Sequence, residues 1–243
     1  MEIAKKEIRD LIIVAFIAAF VLSFNEWGIN TFSFLTGIKN LSISFAFCMI
    51  VYIVYIFAQK LSAKYYEYEV NFEMLQIEKR IRSIRRKTTF PIGPIITVLI
   101  TLISAGKFFF IVLNSFTLVP NEELRTGRKW TGVKEFEEAQ VALAGPMSLI
   151  VLLILFKILV YFNPIFEKGM FIASTIMIFN MLPLPKVDGS KIFFGSRTLY
   201  VTGLAFGISF VLLLFYLSII QTIMLALIIA LAMGIAYLYS VAK

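Results

Sequence analysis

Long hydrophobic runs alternate with short polar stretches along this chain, and this pattern decides the predicted architecture. Several runs approach or exceed the roughly 20 apolar residues that a helix needs to cross a bilayer. Two of them close the chain as a helix pair over residues 199–241. The pattern predicts an all-α polytopic membrane protein with about six transmembrane helices. Their predicted cores are residues 11–24, 41–58, 141–162, 169–182, 199–219 and 222–241.

Residues 90–118 do not fit the pattern of a simple membrane-spanning helix. The apolar part is interrupted by Gly106 and Lys107, and an aromatic and β-branched stretch, Phe108 to Leu113, follows. Aromatic and β-branched residues favour strands. This region therefore predicts a partly β element, which either crosses the membrane or dips in and returns.

The distribution of basic residues favours the second alternative, in which residues 90–118 enter the membrane and return to the same side. Cytoplasmic loops carry the excess of Lys and Arg, and residues 60–89 are strongly basic. A single crossing by residues 90–118 would put Lys186, Lys191 and Arg197 outside the cell. A re-entrant element instead places every basic connection in the cytosol. We therefore expect a cell-membrane protein with both termini and the 60–89 segment cytosolic.

Composition narrows the chemistry further. The chain has 243 residues, 60% of them hydrophobic, and a net charge of +8. In a membrane protein this charge reports topology rather than nucleic-acid binding, so the bilayer is the expected partner. Cys48 is the single cysteine and there is no histidine, which excludes an internal disulfide and a Cys-based metal site. Residues 78–87 suggest either a basic amphipathic helix on anionic lipid headgroups or a solvated loop.

A polar loop after the fourth predicted span is the strongest candidate site. Pro183 and Pro185 prevent the apolar run from continuing as a helix, and Asp188-Gly189 favours a sharp turn. Non-helical backbone in a membrane is tolerated only where protein buries it or where it lines a wet cavity. An ionisable group there indicates a functional site. The alternative is that Asp188 simply N-caps a helix over residues 190–194.

The same loop carries a recognisable motif. Asn180-x-x-Pro183-x-x-x-x-Asp188-Gly189 resembles the Asn-x-x-Pro-x-x-x-x-Asp-Gly motif of the site-2 proteases, which are intramembrane zinc metalloproteases.

Two further segments strengthen the resemblance. The segment Ala144-Gly145-Pro146 is similar to the Ala-Gly-Pro segment of an earlier core helix in that family, and residues 7–12 look like the start of some prokaryotic members. The similarity covers about residues 41–199, so we expect one membrane domain over residues 1–243 with that stretch as its core. The resemblance also implies a re-entrant β element between the first two core helices, where residues 108–118 lie.

The catalytic residues that the resemblance implies are missing. Family members need His-Glu-x-x-His, in which two histidines bind zinc and the glutamate is the general base. Alignment of residues 59–66 with the following family segment puts Tyr55 and Gln59 at the histidine positions and Ile56 at the glutamate position. Asp188 matches the third zinc ligand. A catalytic zinc takes three protein ligands, and Cys48 as a second would still leave one missing. We therefore expect no bound metal and no cofactor.

A polar cluster is expected where the metal site would be. Tyr55 and Gln59 are four residues apart and share a helix face, which would meet Asn180 and Asp188. A buried carboxylate must be neutralised or hydrogen-bonded, so we expect Tyr55 and Gln59 to donate to Asp188. Alternatively, both are ordinary polar residues that link membrane helices.

The resulting functional hypothesis is a catalytically inactive site-2-protease-like protein that binds or scaffolds a membrane client. The client would add a strand near Phe108, Phe109, Phe110 and Ile111. A second hypothesis is an intramembrane zinc protease with a nonstandard site. A third is a small-molecule or ion carrier in which Asp188, Asn180 and Lys107 line a path.

Overall fold

The computed structural model describes residues 5–27, 32–80, 87–121 and 132–241, and these are mostly helical. The eight helices of this part of the chain are α1 (Lys5–Leu22), α2 (Phe34–Tyr65), α3 (Ile92–Ile103), α4 (Glu135–Val160), α5 (Ile165–Asn180), α6 (Asp188–Gly195), α7 (Arg197–Leu214) and α8 (Ile219–Val241). The strands are β1 (Tyr68–Met74), β2 (Ile77–Arg80), β3 (Lys87–Phe90) and β4 (Asn114–Pro120).

Four of the described helices are long and apolar enough to cross a membrane, namely α2, α4, α7 and α8. Two other predicted spans form helices without meeting that standard. Helix α1 carries several charges in its first two turns. Helix α5 has 16 residues, which gives about 24 Å, less than the hydrocarbon thickness of about 30 Å. The structure thus agrees with a helical membrane protein, and its composition identifies four candidate spans.

Two predicted helix boundaries were wrong. Helix α2 begins at Phe34, seven residues before the predicted start at residue 41, although its expected continuation past Ala58 is confirmed. Helix α4 begins at Glu135, six residues before the predicted start at residue 141, so Pro146 lies well inside it. The acidic first turn of α4 explains its early start, because carboxylates stabilise the N-terminus of a helix.

One compact unit comprises Met1–Tyr52 and Asn71–Thr117. Within it, α1 packs against α3, and the single cysteine, Cys48, is buried and in no disulfide. Two backbone hydrogen bonds hold residues 93 and 113 beside Leu75. The Leu75 carbonyl accepts the Gly93 N–H at 3.1 Å, and the Leu75 N–H donates to the Leu113 carbonyl at 2.8 Å. Residues 93–113 are therefore an excursion that returns to its starting point.

The excursion turns at residues 105 and 106, where the backbone conformation and one side-chain hydrogen bond hold the turn. Ala105 and Gly106 both have positive φ, 49° and 73°, and the Asn25 side chain donates to the Gly106 carbonyl at 2.6 Å. Helix α3, with 12 residues, is about 18 Å long and too short to cross a bilayer. Residues 93–113 thus follow a path that leaves Leu75 and returns to it, and the expected dip of this path into a membrane stays a prediction. However, no strand forms over residues 108–113, and β4 starts only at Asn114.

The small sheets correct the expectation for the basic segment. Strand β1 pairs with β4, and β2 pairs antiparallel with β3 in a register from Ile77–Phe90 to Arg80–Lys87. Residues 78–80 and 87 are thus in strands, so the predicted amphipathic helix over residues 78–87 is wrong at both ends. Residues 81–86 lie outside the described part. The β-branched Thr88 and Thr89 favour the strand conformation.

The second compact unit comprises Ile53–Val70 and Leu118–Lys243. Helix α4 packs against α5 and α6, while α7 packs against α6 and α8. Four of the largest fully buried side chains on α4 and α5 fill its core, Leu149, Leu153, Ile172 and Ile176. This packing places the short helix α6, which carries Asp188, beside α4.

Candidate functional site

The loop between α5 and α6 places the Asp188 carboxylate in the interior of the second unit. Helix α5 ends at Asn180, as the prolines predict, and α6 begins at Asp188. The N-cap of α6 is Val187, which makes no side-chain cap hydrogen bond. Asp188 is instead the first helical residue, and its side chain is 0% exposed. The interpretation of Asp188 as an N-cap is therefore wrong.

Gly189 allows the backbone at the start of α6 to lie close to the backbone of Met181 and Leu182. A Cβ at residue 189 would lie 2.3 Å from the Leu182 carbonyl oxygen and 2.4 Å from that of Met181. Backbone atoms cannot move aside as a flexible side chain could. The Asp-Gly pair thus provides the buried carboxylate and the space for the returning loop.

The expected polar cluster is present. The Tyr55 hydroxyl donates to Asp188 Oδ2, and Gln59 Nε2 donates to the same oxygen at 2.7 Å. All three residues are almost completely buried. The predicted donation by two residues one helical turn apart on α2 is confirmed. We refer to Tyr55, Gln59 and Asp188 as the Asp188 cluster.

Helix α4 makes room for the cluster through Gly145. A Cβ at this position would lie 2.6 Å from two atoms of the Tyr55 ring. The glycine of the Ala-Gly-Pro segment therefore admits the phenol ring that reaches Asp188. Sequence reasoning noted the segment but not this role, because no local pattern reveals which side chain packs on a helical glycine.

Charged groups at the ends of α6 and α4 complete the surroundings. Lys191 Nζ lies 3.3 Å from Glu138 Oε1, and both side chains are largely buried. Burial raises the pKa of the Asp188 carboxyl, while the Lys191 charge and the hydrogen bonds from Tyr55 and Gln59 oppose the rise. The second carboxylate oxygen, Asp188 Oδ1, has no hydrogen-bond partner among the described residues. Sequence reasoning did not predict the Lys191–Glu138 pair.

Two residues expected near the site do not contribute to its hydrogen bonds. Asn180 is buried, and its amide nitrogen donates to the Ile176 carbonyl of its own helix at 3.0 Å. Its Oδ1 finds no partner within the described ranges. We expected Asn180 to meet the face of α2 that carries Tyr55 and Gln59. Its side chain forms no hydrogen bond with either of these residues. Ile56 is half-buried and apolar.

The four residues that we expected to bind a client, residues 108–111, differ in how exposed they are. Phe108 is 72% exposed and lies at the end of the turn that includes Gly106. Phe109 and Phe110 are half-buried. Ile111 is 0% exposed, and its expected contact with a client stays a prediction. Its position next to the Leu113–Leu75 hydrogen bond explains its burial. Lys107, expected on a carrier path, is exposed.

The donor set of the Asp188 cluster does not fit a zinc ion. Zinc sites in proteins use Cys, His and carboxylate ligands, and the cluster offers one carboxylate whose Oδ2 already accepts two hydrogen bonds. Across the described ranges, no group of three or more His, Cys, Asp or Glu residues could hold a metal ion. The arrangement can satisfy a buried acid, and it offers one of the three protein ligands that a catalytic zinc takes.

No protein-family model, no curated protein and no solved structure matches this chain. The resemblance to site-2 proteases therefore depends on the motif residues of the sequence and stays an expectation.

Proposed function

We propose that this protein is a catalytically inactive relative of the site-2 proteases and that it binds a membrane client without cleaving it. One observation carries the proposal. The residues that align with the two zinc-binding histidines, Tyr55 and Gln59, both contact the aspartate that aligns with the third ligand. Two positions one helical turn apart on α2 thus meet a third position that lies 133 and 129 residues further along the chain, as the ligands of a metal site would.

The chemistry of these positions supports binding without cleavage. Zinc-dependent hydrolysis needs three protein ligands, an open position for water and a general base. Here a phenol and an amide stand at the ligand positions, and Ile56 stands at the position of the base. The Asp188 cluster instead fastens α2 to α6 by two buried hydrogen bonds. Its contribution is structural, and it keeps a polar loop folded inside an apolar protein.

The client surface that we propose lies at the turn of the excursion, at Phe108. A large aromatic side chain that is mostly exposed at the end of a fixed turn can contact a hydrophobic segment. In the proposed orientation this turn dips into the bilayer from the cytosolic side, with both chain termini in the cytosol. The client would then be a membrane-embedded polypeptide that lies in the same bilayer as this protein.

Rebuilding the metal site tests the alignment on which the proposal depends. The double variant Tyr55→His/Gln59→His should bind about one zinc per chain, because two histidines and Asp188 supply three ligands. Metal analysis of the purified protein measures this. The matched control adds Asp188→Asn and should lose the metal. A folded double variant with no more zinc than the wild-type protein would overturn the alignment.

Photo-crosslinking tests the client. A photoreactive amino acid at residue 108 should form discrete adducts with intact membrane polypeptides in native membranes. The same amino acid at residue 162, which is also highly exposed, is the control and should not form them. Cleaved adducts would favour a protease, and solute flux into liposomes that Asp188→Asn abolishes would favour a carrier. Identical adducts at both positions would contradict a client surface at Phe108.

A further inference from the structure

Two of the candidate membrane spans begin at the same level of the second unit. Helix α4 starts at Glu135 and α7 starts at Arg197. The backbone of Gly195, just before α7, lies so close to α4 that a Cβ on it would be 2.2 Å from the Glu135 carbonyl oxygen. With 18 residues, α7 is about 27 Å long, close to the hydrocarbon thickness of about 30 Å. Arg197, the first residue of α7, therefore lies at the level of the lipid headgroups.

Exposed aromatic side chains mark both ends of these two spans. Phe194 is 76% exposed just before α7, and Phe136 is exposed in the first turn of α4. At the other end, Tyr161 and Phe162 follow α4 and Tyr216 follows α7, and all three are highly exposed. Aromatic side chains, above all those of Trp and Tyr, are enriched at the two membrane–water interfaces. Their positions agree with the levels that the helix lengths indicate.

The two ends of the spans differ in charge. At the end where α7 begins, residues 186–197 carry three basic side chains and one acidic side chain, Asp188, which is buried. At the other end, residues 161–168 and 215–221 carry one acidic and one basic side chain between them. The end that includes Arg197 thus has the more basic connection.

The side chain of Arg197 is held in place by an aromatic ring. Arg197 is exposed, and its guanidinium carbon lies 5.7 Å from the centre of the Phe193 ring. The Phe193 ring in turn packs edge-on against Tyr200, with 5.3 Å between the ring centres. Among the described residues, no carboxylate forms an ion pair with Arg197, and this includes Glu135. We refer to Phe193, Phe194 and Arg197 as the Arg197 rim.

We propose that the Arg197 rim binds the headgroup of an anionic phospholipid. Arg197 donates to the phosphate oxygens, whose geometry matches the planar guanidinium. Phe194, which contacts Phe193 at 5.5 Å between ring centres, packs on the lipid just below its headgroup. A lipid fits this surface better than a soluble phosphate, because a soluble anion would leave the exposed Phe194 ring in water.

The charge of the rim selects the class of lipid. No carboxylate of the described residues balances Arg197, so a headgroup with a net negative charge fits better than one whose own ammonium neutralises its phosphate. In the orientation proposed above this end faces the cytosol, and the cytoplasmic leaflet carries the anionic lipids. The inference uses only α4, α6 and α7 and does not depend on a membrane client.

Lipid binding to the intact full-length protein tests the proposal. Mass spectrometry of the protein released from detergent measures the affinity for the first bound lipid. Phosphatidylglycerol should bind the wild-type protein more tightly than phosphatidylcholine, and Arg197→Gln should weaken phosphatidylglycerol binding about fivefold, the effect of one basic side chain at an anionic surface. Arg197→Lys should retain part of this affinity. Lys168→Gln, which removes a basic side chain at the other end of the spans, is the control and should change neither affinity.

Three results would overturn the proposal. The first is an Arg197→Gln protein, folded as judged by its unfolding transition, that binds phosphatidylglycerol as tightly as the wild-type protein. The second is an equal loss of phosphatidylglycerol and phosphatidylcholine binding in Arg197→Gln, because the rim would then not recognise the charge of the headgroup. The third is complete displacement of phosphatidylglycerol by inorganic phosphate, since the ligand would then be a soluble anion.

Discussion

The two units each bury a carboxylate, and they satisfy it in different ways. Asp188 receives hydrogen bonds from two side chains on α2, Tyr55 and Gln59. Glu7 receives a hydrogen bond from the backbone of β1, at Phe72. The first arrangement depends on the identity of residues at three positions. The second depends on one identity and on the path of a strand, since every residue except proline supplies an N–H.

The difference predicts unequal sensitivity to mutation, with the largest effect at Asp188. Asp188→Leu leaves two buried donors without an acceptor, each costing about 1–3 kcal/mol, although the loss of a buried carboxylate offsets part of this. We expect the protein to lose at least about 2 kcal/mol of unfolding free energy in detergent, measured by thermal or denaturant unfolding. Glu69→Leu, which removes an exposed carboxylate on β1, is the control. Equal stability of the Asp188→Leu and wild-type proteins would remove the Asp188 cluster as a stabilising element.

Gly145→Ala attacks the same cluster without touching its polar atoms. The added methyl would lie 2.6 Å from the Tyr55 ring, so the ring must move away from Asp188 or α4 must shift. Overpacking of this kind costs about 1–3 kcal/mol. The matched control is Gly203→Ala, whose Cβ would meet the mobile end of Leu143 at 3.0 Å. If both variants unfold at the same denaturant concentration, the tight fit of Tyr55 on Gly145 is not important for stability.

Glu7→Ala should have a smaller effect, because a single backbone donor loses its acceptor. We expect a loss of roughly 1–2 kcal/mol, measured by the same unfolding experiment. Glu7→Gln should recover most of it. A loss as large as that of Asp188→Leu would contradict the distinction between side-chain and backbone donors drawn above.

Tyr55→Phe should have the smallest effect of the four. It removes one donor from Asp188 Oδ2 and leaves Gln59 in place, so about 1 kcal/mol should be lost. Combined with Gln59→Leu, the loss should exceed the sum of the two single losses, because the carboxylate then has no side-chain donor. Thermal unfolding of the two single variants and the double variant measures this coupling.

The comparison also shows which features the sequence could predict. Tyr55 and Gln59 share a face by their spacing, and the prolines after Asn180 mark the end of α5. That this face meets Asp188 was implied by the resemblance to the site-2 proteases and not by spacing. The contact of Glu7 with Phe72 joins residues 65 positions apart through a backbone N–H. Backbone donors have no sequence signature, so nothing local could have indicated it.

The remaining errors have similar causes. The basic stretch around Lys79 and Lys87 has the charge of a surface helix, but the pairing of β2 with β3 overrides that tendency. Intrinsic preference is weak compared with such tertiary context. The burial of Ile111 depends on where the excursion returns to Leu75, which no local pattern indicates. The first seven residues of α2, from Phe34 to Asn40, mix apolar residues with Thr36, Gly37 and Lys39, so the hydrophobic pattern is least informative there.

The burial of Cys48 has a practical consequence for mapping the orientation of this protein. Its thiol is the only one in the chain and is 0% exposed, so maleimide reagents should not reach it in the folded state. A cysteine introduced at an exposed loop position, such as Lys107 or Ser218, would then be the one accessible thiol without any prior removal of the native residue. Labelling of such variants from either side of sealed vesicles would read out, position by position, which loops face the cytosol.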